Sequence, residues 1–177
     1  EAQINVASGS PLSFKQEEIC HSGHAIELRI CAEDADQGFL PATGKVCFLQ
    51  EPKMLGIRLD SSLQDGSEVT KAFDPMLAKL IAHGETREEA TERLLAALQE
   101  QVILGVTTNS AYLGRILEHP AFVAGETHTH FIEDHAQALK REEIEKDILT
   151  TVLVAAALND ASFLKLLNDV PEPCSAM

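Results

Sequence analysis

The chain has 177 residues, 45% of them hydrophobic and 24% charged, a globular composition long enough for one domain with appendages. Its 14 Lys and Arg against 28 Asp and Glu give a formal charge of −14, which excludes a nucleic-acid binder held by phosphate contacts and docking on an anionic membrane, but not a local basic site. Cys20, Cys31, Cys47 and Cys174 make no CxxC pair or zinc-like spacing, and no membrane span or targeting segment is visible, so reduced thiols in a bacterial cytoplasm or a mitochondrial matrix are expected.

In chain order, residues 1–8 read as the tail of a helix, and the first residue, Glu1, makes the N-terminus look cut. Gly9-Ser10-Pro11 stops the helix, and residues 12–22 form a polar connector. The clearest strand comes next. His24, Ile26, Leu28, Ile30 and Ala32 fall on one face, Glu27, Arg29, Cys31 and Glu33 on the other. One side of such a strand belongs on a core; the charged side lies in a groove or in water. Residues 34–44 read as a long turn, and 45–50 and 56–60 as strands, with Arg58 pointing away from Ile57 and Leu59. Cys31 and Cys47 are expected as small core residues. An Asp-Gly signal in Gln64-Asp65-Gly66-Ser67 predicts a hairpin into residues 68–73, and residues 75–83 read as a strand ending at Gly84.

The most secure helix spans residues 86–101. Thr86 and Glu89 make a capping box; Ala90, Leu94, Ala97, Leu98 and Val102 recur at helical spacing, and Glu89 pairs with Arg93 on the wet side. Residues 103–107 read as a short strand. A second helix over 109–119 turns Tyr112, Leu113, Ile116 and Leu117 inward, and a short third covers 131–138. A charged stretch, 140–147, leads into one or two amphipathic helices over 148–158 and 162–167, with an irregular tail around Pro171, Pro173 and Cys174.

Little here announces chemistry by pattern alone. Neither GxGxxG, GxxxxGK[ST] nor GxSxG occurs. His128 and His130 form an HxH pair that could serve a metal given a third ligand, but a polar surface loop is the favoured interpretation, and no metal site is assigned. Arg58 presents a fixed fork of donors that suits carboxylate, bicarbonate or phosphate. Pattern alone favours a plainer role for it, a salt bridge to Glu27, Glu33 or Asp60.

Six motifs in order are more specific. Residues 23–34 (GHAIELRICAED) and 39–45 (FLPATGK) resemble the start of the biotin carboxylase C-terminal domain, whose usual wording is close to GHAIECRINAED and FLPSPGK. Residues 56–61 (GIRLDS) resemble its GVRxDS and 73–81 (FDPMLAKLI) its YDPMLAKLI; residues 84–90, 105–109 and 116–122 continue the order. The resemblance covers about residues 8–135 and leans towards acyl-CoA carboxylase α subunits of the methylcrotonoyl- or propionyl-CoA type.

The resemblance implies an α+β fold: an antiparallel sheet with a few packed helices, plus a helical C-terminal appendage. Residues 1–22 would be the end of an ATP-grasp region with its connector, 23–138 the domain itself, and 139–177 a helical linker or the start of a carboxyltransferase-docking region. It implies a ligase that uses ATP, Mg2+ and bicarbonate, via carboxyphosphate, to carboxylate biotin on a separate carrier domain. Arg58 would be the catalytic cation, with Glu27, Arg29 and Glu33 on the biotin and bicarbonate side and His130 near the adenine. Arg87 would sit at a homodimer contact, although the acidic position that pairs with it in bacterial members is Leu104 here. The ATP-grasp loop, a VQVEHP-type stretch and the AMKM biotinylation motif are absent from the sequence, so the chain alone is expected to be inactive. The implied partners are an ATP-grasp lobe, the carrier domain and a carboxyltransferase subunit. The rival interpretations are a non-catalytic assembly module and a small-ligand or metal-binding protein using His128 and His130.

Overall fold

The computed structural model describes residues 1–141 and 146–167, with side chains through residue 158. Two compact units divide the chain, Glu1–Lys140 and Arg141–Met177. The first begins with helix α1 (Ala2–Ala7) and a 3-10 turn (Gln16–Glu18). Strands β1 (His24–Cys31), β2 (Glu33–Asp34), β3 (Leu40–Pro41), β4 (Gly44–Lys45) and β5 (Phe48–Gln50) follow. Then come β6 (Ile57–Ser61), β7 (Glu68–Val69), β8 (Met76–Gly84), helix α2 (Arg87–Glu100) and β9 (Val102–Leu104). Helices α3 (Ser110–Glu118), α4 (Pro120–Val123) and α5 (Phe131–Asp134) close the unit. The second unit contributes α6 (Lys146–Leu167).

The organising sheet is antiparallel, in the order β1-β8-β6. Alternation along its strands sends Leu28, Ile30, Ala78, Leu80 and Ala82 to one face, where Leu94 and Ala97 of α2 and Leu117 of α3 complete the main core. Ile30, Leu80, Leu94 and Leu117 are all fully buried. Each such side chain is worth about 1.5–3 kcal/mol of transfer free energy, so the sheet and α2 hold one another in place. The architecture is α+β, as the resemblance implies. A smaller cluster of Ala32, Val46 and Val106 lies under the loops, and a third joins Tyr112, Phe131 and Leu139.

Helix α2 starts where the sequence places it. The Thr86 hydroxyl accepts from the Glu89 amide at 3.2 Å. The reciprocal half of the box is displaced by one residue: the Glu89 carboxylate accepts from the Glu85 amide at 2.6 Å, because its other oxygen is held by Arg93 at 2.5 Å. Arg93 also donates to the His83 carbonyl and so ties the helix to the end of β8.

Several expectations change at the short strands. Residues 68–73 do not form a hairpin with the strand before them; β7 pairs instead with β4, through Gly44↔Val69 and Lys45↔Glu68. The stretch 45–50 is split between β4 and β5, the latter pairing with β9. Gly105 packs against that break. At φ +98 it brings its backbone so close to β4 that a Cβ would lie 2.1 Å from the Lys45 carbonyl oxygen. Cys47 falls in the gap and is exposed rather than a core residue. The turn 34–44 contains β2, a 3-10 turn (Ala35–Gln37) and β3, and α4 is an additional short helix started by Pro120. The third helix is shorter than expected, ending at Asp134. The tail helices are one continuous helix, while residues 142–145 and the Pro171–Pro173–Cys174 tail lie outside the described residues. Among the described residues no helix is long and apolar enough to cross a membrane.

Candidate functional site

With one face of the β1-β8-β6 sheet packed on α2, the other carries the charged residues. Directly opposed residues of an antiparallel ladder project to the same side. The register therefore builds two rows across the open face. Glu27, Ile81 and Arg58 form one; Arg29, Lys79 and Asp60 form the next. Three cations and two carboxylates meet there, a locally positive patch in a chain of charge −14. Asp60, Ser61, Met76 and Lys79 line a shallow groove of about 540 Å³ at the end of this face.

Arg58 is 73% exposed and grips Asp60 bidentately, Nε to Oδ1 and Nη2 to Oδ2, each at 2.9 Å. That hydrogen bonding raises the Arg58 pKa further and is the main cause holding the Asp60 carboxyl below its usual value; desolvation opposes, and the charges of Arg58 and Lys79 add to the lowering. Of the three ion-pair partners read from the sequence, Asp60 is the one that Arg58 engages. Glu27 pairs with Arg29 instead, at 3.6 Å, with both side chains largely exposed. Such pairs are worth little to stability and leave both groups available.

Glu33 departs from the expected arrangement. The register slips between Ile30 and Cys31, β1 ends there, and Glu33 belongs to the separate β2–β3 ladder. Its carboxylate remains a neighbour of Cys31, whose thiol is pushed up first by burial and then by Glu33 and Asp74, with Arg29 opposing. His130 is exposed on the turn before α5, its Nδ1 3.3 Å from the Thr129 hydroxyl. His128 lies 3.6 Å from Asp134, and no group of three or more His, Cys, Asp or Glu is placed to hold a metal ion among the described residues. Arg87 is engaged within the chain: Nε and Nη2 donate to the Phe122 carbonyl at 3.2 and 2.9 Å, and the guanidinium lies 4.6 Å from the Phe122 ring centroid. The structure thus brings Arg58, Glu27 and Arg29 together on one face and leaves Glu33, His130 and Arg87 outside it.

Two contributions went unremarked in the sequence, one on the face and one at the end of β1. Lys79 occupies the middle of its central strand; the alternation Leu77, Lys79, Ile81, His83 was the available signal. Asn109 was read as a helix start, but its buried side chain fastens the end of β1. No pattern in the sequence announces that.

The model of the biotin carboxylase C-terminal domain matches residues 27–134. The methylcrotonoyl-CoA carboxylase α subunit of Dictyostelium discoideum mitochondria is 36% identical over 180 residues, covering 100% of this chain and 26% of the relative. The biotin carboxylase of Haemophilus influenzae is 47% identical over 131 residues, covering 74% of this chain and 29% of the relative. Among solved structures, the biotin carboxylase domain dimer of Hydrogenobacter thermophilus 2-oxoglutarate carboxylase, in complex with MgADP, ADP and bicarbonate, superposes with a TM-score of 0.76 at 35% identity. The match covers 80% of this chain and 31% of that one. The chain thus spans between a quarter and a third of the length of these relatives.

Proposed function

Because the chain belongs to the biotin carboxylase C-terminal domain family, we propose that it forms one wall of a carboxylase site in an enzyme that uses ATP and bicarbonate to carboxylate protein-linked biotin. The observation that carries this is the uncovered, locally cationic face of the sheet, with Arg58 exposed at its edge. A biotin ring with its ureido oxygen fits such a face, since that oxygen accepts hydrogen bonds and gains negative charge in the reaction, and the donors are fixed to strands. When bound, biotin supplies the nitrogen that takes up the carboxyl group. Arg58 holds a permanent positive charge against an oxygen that gains negative charge, which is electrostatic preorganisation. Glu27 and Arg29 border the face on β1, and Glu33 lies beyond its bulge.

The Mg2+ that accompanies the nucleotide phosphates finds no acidic cluster to hold it among this chain's described residues. We assign those steps to an ATP-grasp lobe, with His130 at the rim nearest the adenine. A biotin carrier domain and a carboxyltransferase subunit complete the partners, in a bacterial cytoplasm or a mitochondrial matrix. An assembly role is favoured for the second unit by a separate observation: Ile148, Val152 and Leu153 of α6 are each more than half exposed. Arg87 is assigned to a homodimer contact, to which it would bring a guanidinium already anchored on Phe122.

The test is ATP- and bicarbonate-dependent carboxylation of free biotin by the chain alone and after mixing with a separately expressed ATP-grasp lobe. We expect no turnover alone and recovery on mixing. Arg58→Ala in the mixture should lower the rate on the order of 10²–10³-fold, the cost of removing one preorganised donor from an oxyanion. Normal turnover by Arg58→Ala would remove Arg58 from the chemistry, and turnover by the chain alone would overturn the division of labour.

A further inference from the structure

Arg58 offers an anion only the Nη1 side of its guanidinium in the arrangement it adopts, because the Nε–Nη2 fork is engaged by Asp60 at 2.9 Å. Presenting that fork to a ligand means leaving the carboxylate, and Asp60 would then stand with an uncompensated charge beside the arriving anion. The ladder supplies a second cation. Asp60 directly faces Lys79 across β6 and β8, and on its other side Lys79 faces Arg29. Arg29 pairs with Glu27 at 3.6 Å, and its own positive charge makes its side the less favourable one for the ammonium. Among the described residues no hydrogen bond or ion pair within 4 Å engages the Lys79 ammonium. Its side chain is half-buried in the groove that Asp60 also lines. A lysine suits such a hand-over. Its ammonium is a compact charge with three rotatable donors on a flexible stem, whereas Arg58 has a directional fork.

We propose that Lys79 is a positioning residue for Arg58, taking over the Asp60 carboxylate as the guanidinium turns to an anion on the open face. The inference rests on the anion-binding role given to Arg58 above. It assigns Asp60 a function too: a latch that holds Arg58 in register until ligand arrives. The lowered pKa of Asp60, to which Lys79 contributes behind Arg58, is consistent with a carboxylate between two cations.

Carboxyl carbon shifts of Asp60, followed through an acid titration of the 177-residue chain, test the hand-over without substrate. Arg58→Ala mimics the departed arginine. In that variant Asp60 should still titrate below the ordinary carboxylate range, and Arg58→Ala/Lys79→Met should bring it back to the ordinary value. Lys79→Arg in the same background should keep it low. If Arg58→Ala alone already restores ordinary titration, Lys79 does not hold Asp60 and the proposal is wrong. In the mixture with the ATP-grasp lobe, Lys79→Met should slow carboxylation and raise the KM for biotin. Adding Asp60→Asn should recover much of the loss, because no stranded charge remains. A Lys79→Met mixture with unaltered kinetics also overturns the proposal. Failure of the Arg58 role itself would show differently, as full turnover by Arg58→Ala with the Asp60 titrations behaving as described.

Discussion

Asn109 is 8% exposed, with its side chain set against the end of β1 where the register slips between Ile30 and Cys31. A bulge of this kind leaves backbone groups without ladder partners. Asn109 supplies them: its Oδ1 accepts from the Cys31 amide at 2.9 Å, its Nδ2 donates to the Arg29 carbonyl at 3.1 Å, and its own amide donates to the Cys31 carbonyl at 3.1 Å. Asn109→Ala would strand a donor and an acceptor together, so we expect a loss of about 2–4 kcal/mol, read from the denaturant midpoint at unchanged m value. Hydrogen exchange at the Cys31 amide should accelerate as well. A midpoint equal to wild type would mean that water replaces the side chain at no cost. The Arg58–Asp60 pair sets a pH dependence of the opposite kind, on an exposed site. The Asp60 carboxyl is held low, so its favourable interaction is fully present above the ordinary carboxylate value and is lost as pH falls through the lowered one. At neutral pH the latch is therefore closed. The Cys31 thiol, pushed up mainly by burial, stays protonated in the same range.

Elements with a strong period and one buried face were legible, and elements defined by distant partners were not. Helix α2 and strand β1 sit where periodicity puts them, because Leu94 and Ile30 must be buried whatever else the chain does. The strand over 75–83 was found too, though its alternation decides the site: Ala78, Leu80 and Ala82 enter the core while Lys79 and Ile81 stay on the open face. By contrast β4, β7 and β9 overlap the strands read over 45–50, 68–73 and 103–107, but at two or three residues they are too short to carry a period, and their bounds and partners, tens of residues away, were not legible. The Asp-Gly signal was a genuine turn, Gly66 having φ +86, but a turn residue does not say which strand the chain will join. Within the site, Arg58 came from one short motif, whereas Lys79 needed the ladder and Asn109 needed the fold. The joint burial of α2 and the sheet is testable at its centre. Leu94→Ala should cost about 2–5 kcal/mol, as a buried leucine leaves a cavity that its neighbours fill only in part. An exposed apolar position offers the control: Leu104→Ala, at 54% exposure, should change the midpoint far less.

At the scale of the whole chain, the end of the first unit is fixed by one side chain. Leu139 is 1% exposed and joins Tyr112 and Phe131 in a cluster of its own. Its carbonyl accepts from Arg115 Nε at 2.8 Å, while Nη2 of the same arginine donates to Asp36 at 2.7 Å. Tyr112 in turn takes the edge of Phe39, the ring centroids being 5.3 Å apart. One arginine and one tyrosine therefore connect residue 139 to the turn that carries FLPATG, about a hundred residues earlier in the chain. The sequence places a boundary between residues 138 and 139, where charge density changes, and the family match ends at residue 134. Neither signal registers a lone apolar residue in a polar stretch. We propose that the folding unit extends through Leu139, and two shortened chains separate the alternatives. A chain ending at residue 140 retains the leucine and the Arg115 contact; one ending at residue 138 removes both. The shorter chain should be about 3–5 kcal/mol less stable, combining a lost buried leucine with an arginine deprived of its carbonyl. Leu139→Ala in the full chain should reproduce most of that loss on its own. Its cost would also loosen the packing of Tyr112, visible as faster ring-proton exchange between environments and weaker protection of the residues around Phe39. Equal midpoints for the two shortened chains would return the boundary to residue 138 and leave Leu139 as a passenger beyond α5.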